Sequence, residues 1–292
     1  MTSRYLDEIS GNHLFFKCEN LQKTGAFKFR GASNAVLSLT EDELKKGVAT
    51  HSSGNHAQAL SCAARLKGAS AFIVMPSNSS VVKVAGVKSY GGKIIFCEPT
   101  LASRESTLQR VLDETSAIEI HPYNDTRIIS GQATAAKELI EDIPDLEYIL
   151  TPVGGGGLLS GTALAAHTYA PSIHVIAAEP EQANDAFRSF ESRTFVPSVN
   201  PDTIADGLRT SLGSITFPII LQHVFQVVTV SEVSIIAVMK LVWERMKLII
   251  EPSSAVPVAA ILDNKTGLKG KRIGIIISGG NVDLDHLPWL RQ

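Results

Sequence analysis

The chain has 292 residues and a formal net charge of −2 at pH 7, with 44% hydrophobic and 19% charged residues. This composition is typical of a globular protein with one large or two modest domains, and the near-neutral charge argues against a nucleic-acid partner. No apolar run is long enough to cross a bilayer, no secretory signal is recognisable, and three scattered cysteines without a CxxC pair favour free thiols in a cytoplasmic protein over a zinc site.

Short apolar or β-branched runs predict strands, and segments with helical spacing lie between them. The predicted strands are Leu14–Cys18, Val48–His51, Ala71–Met75, Lys93–Cys97, Tyr148–Val153, His174–Glu179, Val227–Val230 and Ile273–Ser278. The predicted helices include His56–Leu66, Ser103–Thr115, Ser130–Glu141, Leu158–His167 and Ser231–Lys247. This alternation predicts an α/β fold in which helices flank twisted parallel sheets. Ligands of such folds bind in the loops after the carboxyl ends of the strands, and the motifs of this chain fall in such loops.

A lysine between two phenylalanines is the most informative feature of the segment Gln22–Ala32. Water stabilises an ammonium ion, so Lys28, flanked by Phe27 and Phe29 at a predicted helix start, should lose its charge more easily than a surface lysine. A neutral amine is a nucleophile that can form a Schiff base with an aldehyde cofactor. Taken alone, the pattern also fits a helical lysine that extends past two core rings to reach solvent.

The segment Thr50–Gln58 directly follows the predicted strand Val48–His51 and contains small hydroxyl residues, a glycine and an asparagine. The free N–H groups of a helix start at this place can bind a carboxylate or a phosphate. Serine and asparagine are also favoured helix caps, so an ordinary capped helix explains the loop equally well.

Four consecutive glycines in the segment Thr151–Gly161 separate an apolar strand from an apolar helix. A flexible linker would have polar neighbours instead, so this tight backbone predicts a phosphate-binding loop at a helix N-terminus. The segment lacks the GK[ST] of a Walker loop and a strict GxGxxG pattern. A phosphate monoester therefore fits as well as a dinucleotide.

The segment Ile275–Asp283 joins a predicted strand to a polar glycine turn. Ser278, at the tip of the strand, is suited to hydrogen-bond a neutral ring nitrogen, whereas an aspartate there would keep a pyridine protonated. Taken alone, this segment is better explained as an ordinary turn.

Several sequence strings occur in one order along nearly the whole chain. Together they resemble the fold-type II pyridoxal-phosphate enzymes, in particular the branch of serine racemases and serine/threonine dehydratases. The strings are Leu14–Glu19, Lys23–Gly31, His51–His56, Phe96–Pro99, Gly154–Gly157, Thr203–Gly207, Val242–Lys247, Glu251–Pro252 and Ser278–Asp283. The resemblance implies a two-domain fold similar to the β subunit of tryptophan synthase, with residues 47–124 as a small mobile domain within a large domain of residues 1–46 and 125–292. It also implies a homodimer that acts on an amino acid.

The resemblance implies a role for each residue of the motifs. Lys28 carries pyridoxal 5′-phosphate and acts as a base on one face of the substrate Cα, and Ser53 is the base on the opposite face. The implied cofactor-binding residues are Phe27, Lys28, Asn55, Gly154, Gly155, Gly156, Gly157, Leu158, Gly207 and Ser278. The implied substrate-binding residues are Ser52, Ser53, His56 and Arg104.

Two bases on opposite faces of a planar carbanion imply racemisation. Loss of a β-hydroxyl from the same carbanion gives an aminoacrylate, which water hydrolyses to a keto acid and ammonia. The resemblance therefore implies a serine racemase with associated dehydratase activity toward serine and threonine. The alternative within the family is a dedicated ammonia-lyase for L-threonine, L-serine or 3-hydroxyaspartate, and the segment Tyr123–Asp125 is similar to that of the dehydratases. A cysteine-synthase-like β-replacement is disfavoured by the strings Glu179–Asp185 and Val242–Lys247. A non-catalytic nucleotide-binding module is the alternative from another class of protein.

Two further sites follow from the resemblance alone. Glu179, the backbone carbonyl of Ala183, and Asp185 match the ligands of a divalent cation, and oxygen donors suit Mg²⁺, Mn²⁺ or Ca²⁺. Without the resemblance this segment would be interpreted as an acidic surface loop. Positions associated with an activating ATP site at a dimer interface are matched by Lys23, Thr24, Gln58, Tyr90 and Asn281. Ordinary surface and interface residues explain these five equally well.

Overall fold

The computed structural model describes residues 1–52, 54–79 and 81–290, and the chain divides into two compact units. The first unit consists of residues 1–27 and 132–292, and the second of residues 28–131. The predicted α/β architecture, with helices flanking parallel sheets, is confirmed. The predicted small domain, residues 47–124, lies within the second unit, which also contains the two helices before it. Its predicted boundaries and mobility stay a prediction.

In the described residues each predicted strand is present, with ends shifted by no more than one residue. The strands are β1 (His13–Cys18), β2 (Val48–His51), β3 (Ala71–Pro76), β4 (Lys93–Cys97), β5 (Ile118–Glu119), β6 (Tyr148–Pro152), β7 (His174–Pro180), β8 (Gln226–Val230) and β9 (Arg272–Ile277). The α-helices are α1 (Arg4–Ser10), α2 (Lys28–Leu37), α3 (Glu41–Lys46), α4 (Asn55–Leu66), α5 (Val81–Ser89), α6 (Leu101–Thr115), α7 (Thr126–Asp142), α8 (Gly157–Tyr169), α9 (Asp185–Ser192), α10 (Thr216–His223), α11 (Glu232–Met246) and α12 (Pro252–Leu262). None of the described helices combines the length and the apolar character needed to span a membrane.

In the first unit the strands form one parallel sheet in the order β1-β9-β6-β7-β8. The interior strand β9 is buried on both faces, as is usual where helices cover a parallel sheet. Ile273, Ile275 and Ile277 belong to the core cluster shared with α11 and α12, while Ile276 belongs to the cluster that includes residues of α8. Because β6 and β9 are neighbours, their carboxyl ends lie side by side, and a predicted motif begins at each.

In the second unit the strands form a parallel sheet in the order β4-β3-β2-β5. Ile73 and Met75 of β3 pack in one cluster with α2 and α4, whereas Val74 packs in another cluster with residues of α6. The short strand β5 pairs Ile118 with Val48, and it was not predicted because two residues carry no periodic pattern. The carboxyl end of β2 leads into the loop before α4, where another predicted motif lies.

Candidate active site

The glycine loop Gly154–Gly157 connects β6 to α8 in the first unit, and all four residues are buried, as is Leu158 after them. A Cβ atom on Gly154 would lie 2.8 Å from Leu208 Cα. Gly156 has a φ of +87°, the left-handed conformation that favours glycine. Because the N-cap residue of α8 is Gly156, no side chain at that position competes for the first N–H groups of the helix. These groups are therefore suited to bind an anion such as a phosphate.

A pair of serines lies at the carboxyl end of β9. The hydroxyl oxygens of Ser278 and Ser254 are 3.1 Å apart, and both residues are buried. Ser254 Oγ donates to Gly279 O and accepts from Gly279 N–H, each at 2.7 Å. Since the single proton of Ser254 is used for Gly279, Ser278 is the donor in the serine pair, and its proton can turn to a bound acceptor instead. A neutral ring nitrogen of a bound ligand could accept this hydroxyl proton in a hydrogen bond.

Gly207 lies between the glycine loop and another serine. It belongs to the 3₁₀ turn Asp206–Leu208, and its carbonyl oxygen would lie 3.1 Å from a Cβ on Gly154. A Cβ on Gly207 itself would lie 3.0 Å from Ser253 Oγ. Ser253 is buried, and its Oγ has no hydrogen-bond partner within the described part of the chain. A buried hydroxyl in this state fits a site that a bound polar ligand completes.

Phe27 is tied to the same end of β9. Its N–H donates to Ser278 O at 2.9 Å, and the preceding Ala26 forms an antiparallel bridge with Gly279. The Phe27 ring packs against the core cluster that includes residues of α8. The next residue, Lys28, begins α2, so the predicted helix start is confirmed.

Lys28 belongs to the second unit and is half-buried. Its Nζ donates a hydrogen bond of 2.7 Å to Pro122 O, in the segment that joins β5 to α7. A main-chain carbonyl therefore orients the amine without placing a negative charge beside it. The predicted ease with which Lys28 loses its proton stays a prediction.

His56 is buried inside the second unit. Burial, followed by the charge of Lys28, lowers the pKa of His56 to about 3, so its ring is neutral. Its Nε2 lies 3.1 Å from Ile120 O and donates to it, because a carbonyl oxygen only accepts. Nδ1 is then an acceptor, with no partner in the described residues. With this tautomer Nδ1 can accept a proton from a ligand but cannot donate one. The predicted role of His56 in substrate binding stays a prediction.

His121 is a second neutral histidine of this unit. Burial, followed by His51 and Lys28, lowers the pKa of His121 to about 4. Its Nδ1 accepts the backbone N–H groups of Tyr123 and Asn124, at 3.3 and 2.9 Å. The ring proton is therefore on Nε2. His121 immediately precedes Pro122, so this neutral ring belongs to the segment that orients the lysine.

The segment after β2 contains the predicted substrate residue Ser52 and the predicted cofactor-binding residue Asn55. Ser52 is half-buried, and its Oγ accepts from Gly54 N–H at 3.4 Å. Asn55 is half-buried and is the first residue of α4, where the helix presents its N–H groups. Ser53, the predicted second base, lies outside the described residues.

Arg104 lies in the first turn of α6, and its Nε donates to Thr100 O at 3.4 Å. Burial, followed by the charge of Arg104, lowers the pKa of His51. The His51 ring in turn stands edge-on to the His121 ring, with ring centres 6.2 Å apart. The second unit thus brings Lys28, three histidines and Arg104 into one neighbourhood.

The predicted metal-binding loop joins β7 to α9 in the first unit. The carboxylate of Glu179 is buried and accepts the N–H groups of Ala186 and Phe187, at 3.0 and 2.8 Å, so it caps α9. Asp185 is also buried, and neither of its carboxylate oxygens has a hydrogen bond of acceptable geometry in the described structure. Burial raises the pKa of Glu179 to about 9 and that of Asp185 to about 6.

Asp185 and Ala183 line a cavity of about 70 Å³. Within the described residues there is no cluster of three or more His, Cys, Asp or Glu side chains suited to a metal. A cation at this loop would therefore also depend on main-chain carbonyls, such as that of Ala183, and on water. Buried carboxylate oxygens without donors fit such a cation, because its positive charge favours their ionised form.

The predicted nucleotide residues fall in both units. In the first unit, exposed Lys23 precedes Thr24, whose carbonyl accepts from Asn281 Nδ2 at 2.8 Å. In the second unit, Gln58 on α4 and Tyr90 after α5 are both half-buried. The structure thus brings Thr24 and Asn281 into contact.

Sequence reasoning missed Ser253, Ser254 and the carbonyl of Pro122. Ser254 is separated from Ser278 by 24 residues, and Pro122 from Lys28 by 94 residues, so no local pattern joins the partners. The string Glu251–Pro252 marked the correct segment of the chain, but it did not indicate a hydroxyl pair.

Comparisons with known proteins agree along nearly the whole chain. The family described as "Pyridoxal-phosphate dependent enzyme" matches residues 1–279. The chain is 51% identical to a beta-hydroxyaspartate dehydratase of Paracoccus denitrificans, over 99% of this chain and 91% of that protein. It is 52% identical to a serine racemase of Arabidopsis thaliana, over 98% of this chain and 88% of that protein. The solved structure of maize serine racemase matches with a TM-score of 0.96 at 46% identity, covering 98% of this chain and 88% of that one.

Proposed function

Because this chain belongs to the family of pyridoxal-phosphate dependent enzymes, we propose that it racemises serine and also converts serine and threonine to a keto acid and ammonia. One observation carries the proposal: the chain is 52% identical to a serine racemase across 98% of its length. Both reactions begin with removal of the proton from the substrate Cα, so one set of residues serves both.

When bound, pyridoxal phosphate supplies an electron sink that makes the substrate Cα–H acidic. The residues that would hold it are the N–H groups of the glycine loop for the phosphate, the Ser278 hydroxyl for the ring nitrogen and Lys28 Nζ for the covalent link. The glycine loop that excludes side chains and the unpartnered hydroxyl of Ser253 support this fit. A hydroxyl at the ring nitrogen leaves that nitrogen uncharged, whereas a carboxylate would hold a proton there.

Two residues move the Cα proton in this proposal. Lys28 Nζ, oriented by Pro122 O, takes the proton from one face of Cα or delivers it there. Ser53, in the loop after β2, does the same on the opposite face. A proton removed on one face and delivered on the other inverts the centre. Departure of the β-hydroxyl before reprotonation leads to elimination instead.

The products formed from L-serine test this proposal. Chiral chromatography should detect D-serine, and a keto-acid assay should detect elimination, in the same incubation of the holoenzyme. Ser53→Ala should abolish formation of D-serine while substantial elimination from L-serine survives. Ser106→Ala, at an exposed serine, is the control and should leave both activities unchanged. Equal loss of both activities in Ser53→Ala contradicts the two-base assignment, and absence of D-serine with the unmodified enzyme contradicts the racemase assignment.

A second candidate is a dedicated ammonia-lyase for 3-hydroxyaspartate, L-threonine or L-serine. The 51% identity to a beta-hydroxyaspartate dehydratase favours it. A dicarboxylate substrate needs one more cationic partner, and Arg104 is a guanidinium suited to bind a carboxylate. Comparing kcat/KM for 3-hydroxyaspartate and for serine, in the unmodified enzyme and in Arg104→Gln, separates the candidates. The lyase forms keto acid without D-serine and loses its preference for the dicarboxylate in the variant.

A divalent cation, Mg²⁺, Mn²⁺ or Ca²⁺, at the loop Glu179–Asp185 is also part of the proposal. The buried and unpartnered oxygens of Asp185 and the cavity of about 70 Å³ beside it support this site. Treatment with EDTA should lower both the activity and the thermal midpoint, and added Mg²⁺ should restore them. Unchanged values after exhaustive treatment would count against the site.

ATP as an activator, a homodimer and a cytoplasmic location complete the proposal. ATP activation rests on the resemblance at the five nucleotide positions, of which Thr24 and Asn281 are in contact. A titration of the rate with ATP tests it, and light scattering should give the mass of two chains. The free thiols of Cys18, Cys62 and Cys97 support a reducing compartment.

A further inference from the structure

A surface groove of about 260 Å³ lies in the first unit at the amino ends of β7 and β8. These strand ends are opposite to those that carry the glycine loop and the Ser278 loop, so the groove is separate from the candidate active site. Three histidines line it, namely His167, His174 and His223. Among the described residues that line the groove, none is a lysine or an arginine.

Two helices place a histidine pair in this groove. The helices α8 and α10 begin side by side, because Thr216 Oγ1 at the start of α10 donates to Gly155 O at 2.8 Å. They also end together, with His167 in the last turn of α8 and His223 in the last turn of α10. The centres of the two imidazole rings are 4.6 Å apart, and the ring planes are inclined by 49°.

This ring separation suits a shared metal ion. Metal–nitrogen bonds are about 2.0–2.1 Å long, so two imidazoles in neighbouring positions on one ion have ring centres roughly 4.5–5 Å apart. The last carbonyl groups of both helices and the negative ends of their dipoles also favour a cation at this place. His167 is exposed and His223 is half-buried, so an ion reaches the pair from solvent.

We propose that His167 and His223 together bind one divalent cation of the borderline kind, Zn²⁺, Ni²⁺ or Cu²⁺. Nitrogen donors distinguish this site from the oxygen donors at Asp185, which suit Mg²⁺ or Ca²⁺. Water completes the coordination, since the described residues offer no cluster of three or more ligand side chains. The bound ion joins the ends of two helices whose opposite ends meet at Gly155, and so stabilises the helix pair against separation.

Titration calorimetry of the holoenzyme with ZnCl₂, in excess Mg²⁺ and at about pH 8 so that histidines are neutral, tests the proposal. We expect one Zn²⁺ to bind per chain and to raise the thermal midpoint. His167→Gln and His223→Gln should each weaken this binding at least about tenfold and remove the rise. His286→Gln, an exposed histidine outside the groove, is the matched control and should retain both. Absence of binding, or binding that is unchanged in both variants, overturns the proposal.

A second measurement uses the unmodified chain, because a substitution at a helix end can disturb folding. Diethyl pyrocarbonate modifies neutral imidazoles, and the modified positions are read by mass spectrometry. Zn²⁺ should slow the modification of His167 and His223 severalfold and leave that of His286 unchanged. Equal modification of the pair with and without Zn²⁺ overturns the proposal.

Discussion

The candidate residues of the first unit and those of the second differ in chemistry. The first unit contributes groups that do not titrate near neutral pH, namely the glycine loop, Gly207, Ser253, Ser254 and Ser278. The second contributes basic nitrogen groups, namely the amine of Lys28 and the imidazoles of His51, His56 and His121, of which His56 and His121 stay neutral down to about pH 4. Fixed N–H groups and hydroxyls are suited to hold a ligand, whereas an amine such as that of Lys28 is suited to move protons. In the proposed function, groups of the first unit bind the cofactor and Lys28 of the second moves a proton, so substitutions in each unit should fail in different ways.

Lys28→Ala should have the largest effect and act on the reaction itself. The substitution removes both the covalent link and a proton carrier, so the rate with L-serine should fall by more than about a thousandfold. Lys45→Ala, at an exposed lysine of the same unit, is the control and should change the rate by less than about twofold. Substantial activity in Lys28→Ala would contradict the comparison, because it would show that the second unit does not move the proton through Lys28.

Gly154→Ala should act on ligand binding. The added Cβ would lie 2.8 Å from Leu208 Cα, so the glycine loop must move. We expect the affinity for pyridoxal phosphate, measured by spectroscopic titration, to fall at least about tenfold. Gly267→Ala is a stringent control, because Gly267 has a φ of +69° but open space around it. It should cost about 1 kcal/mol of stability and leave the affinity unchanged. Equal affinities of the two variants for pyridoxal phosphate would show that the glycine loop does not bind it.

Ser254→Ala should act mainly on stability. Ser254 Oγ pairs with both the N–H and the carbonyl of Gly279, so its loss leaves a buried N–H without a partner. The expected loss in the free energy of unfolding is about 1–3 kcal/mol, measured by urea denaturation. Ser192→Ala, at an exposed serine, should change it by less than about 0.5 kcal/mol. A Ser254→Ala protein as stable as the control would show that the serine pair is not a structural support for Ser278.

Substitutions of His121, in the second unit, should have the smallest effect on the reaction at neutral pH. Their effect is on the stability of the folded chain in acid. His121 has a pKa of about 4 in the folded chain, below its ordinary value of about 6.5, so the unfolded chain binds the proton first. The stabilisation is complete above about pH 6.5 and is lost as the pH falls toward about 4. His121→Asn keeps an acceptor for the N–H groups of Tyr123 and Asn124 and removes the titration, so its stability should fall less steeply in acid. His121→Leu, which lacks the acceptor, should be less stable at every pH, and an unchanged acid slope in His121→Asn would contradict the assignment.

The fold could be predicted largely from the sequence because its signals are local. Runs of β-branched residues predicted strands such as β9. This strand is buried on both faces and therefore requires apolar residues at successive positions. The two-residue strand β5 could not be predicted, since its pairing with Val48 and not its own composition makes it a strand.

The candidate site could be predicted in part. The glycine loop was recognisable because strand, glycines and helix are contiguous in the chain. The neutral state of His56 was not, because it arises from burial among elements of the folded chain and from the charge of Lys28, which lies 28 residues earlier in the chain. A residue that acts through its main chain on a distant side chain, as the Pro122 carbonyl does on Lys28, has no recognisable signature in the sequence.

The pairing of β1 with β9 has a consequence for how the protein is made. Cys18 lies opposite Ile277, so β1 is paired with a strand that is synthesised long after it. Residues 28–131 are all synthesised before β9, and their contacts with one another are complete at that stage. During synthesis β1 therefore has no β9 to pair with while the second unit, residues 28–131, is made and can fold. Nascent chains halted after residue 131 has left the ribosomal exit tunnel, but before β9 is made, should accordingly resist proteases in that unit while residues 1–27 are still cleaved.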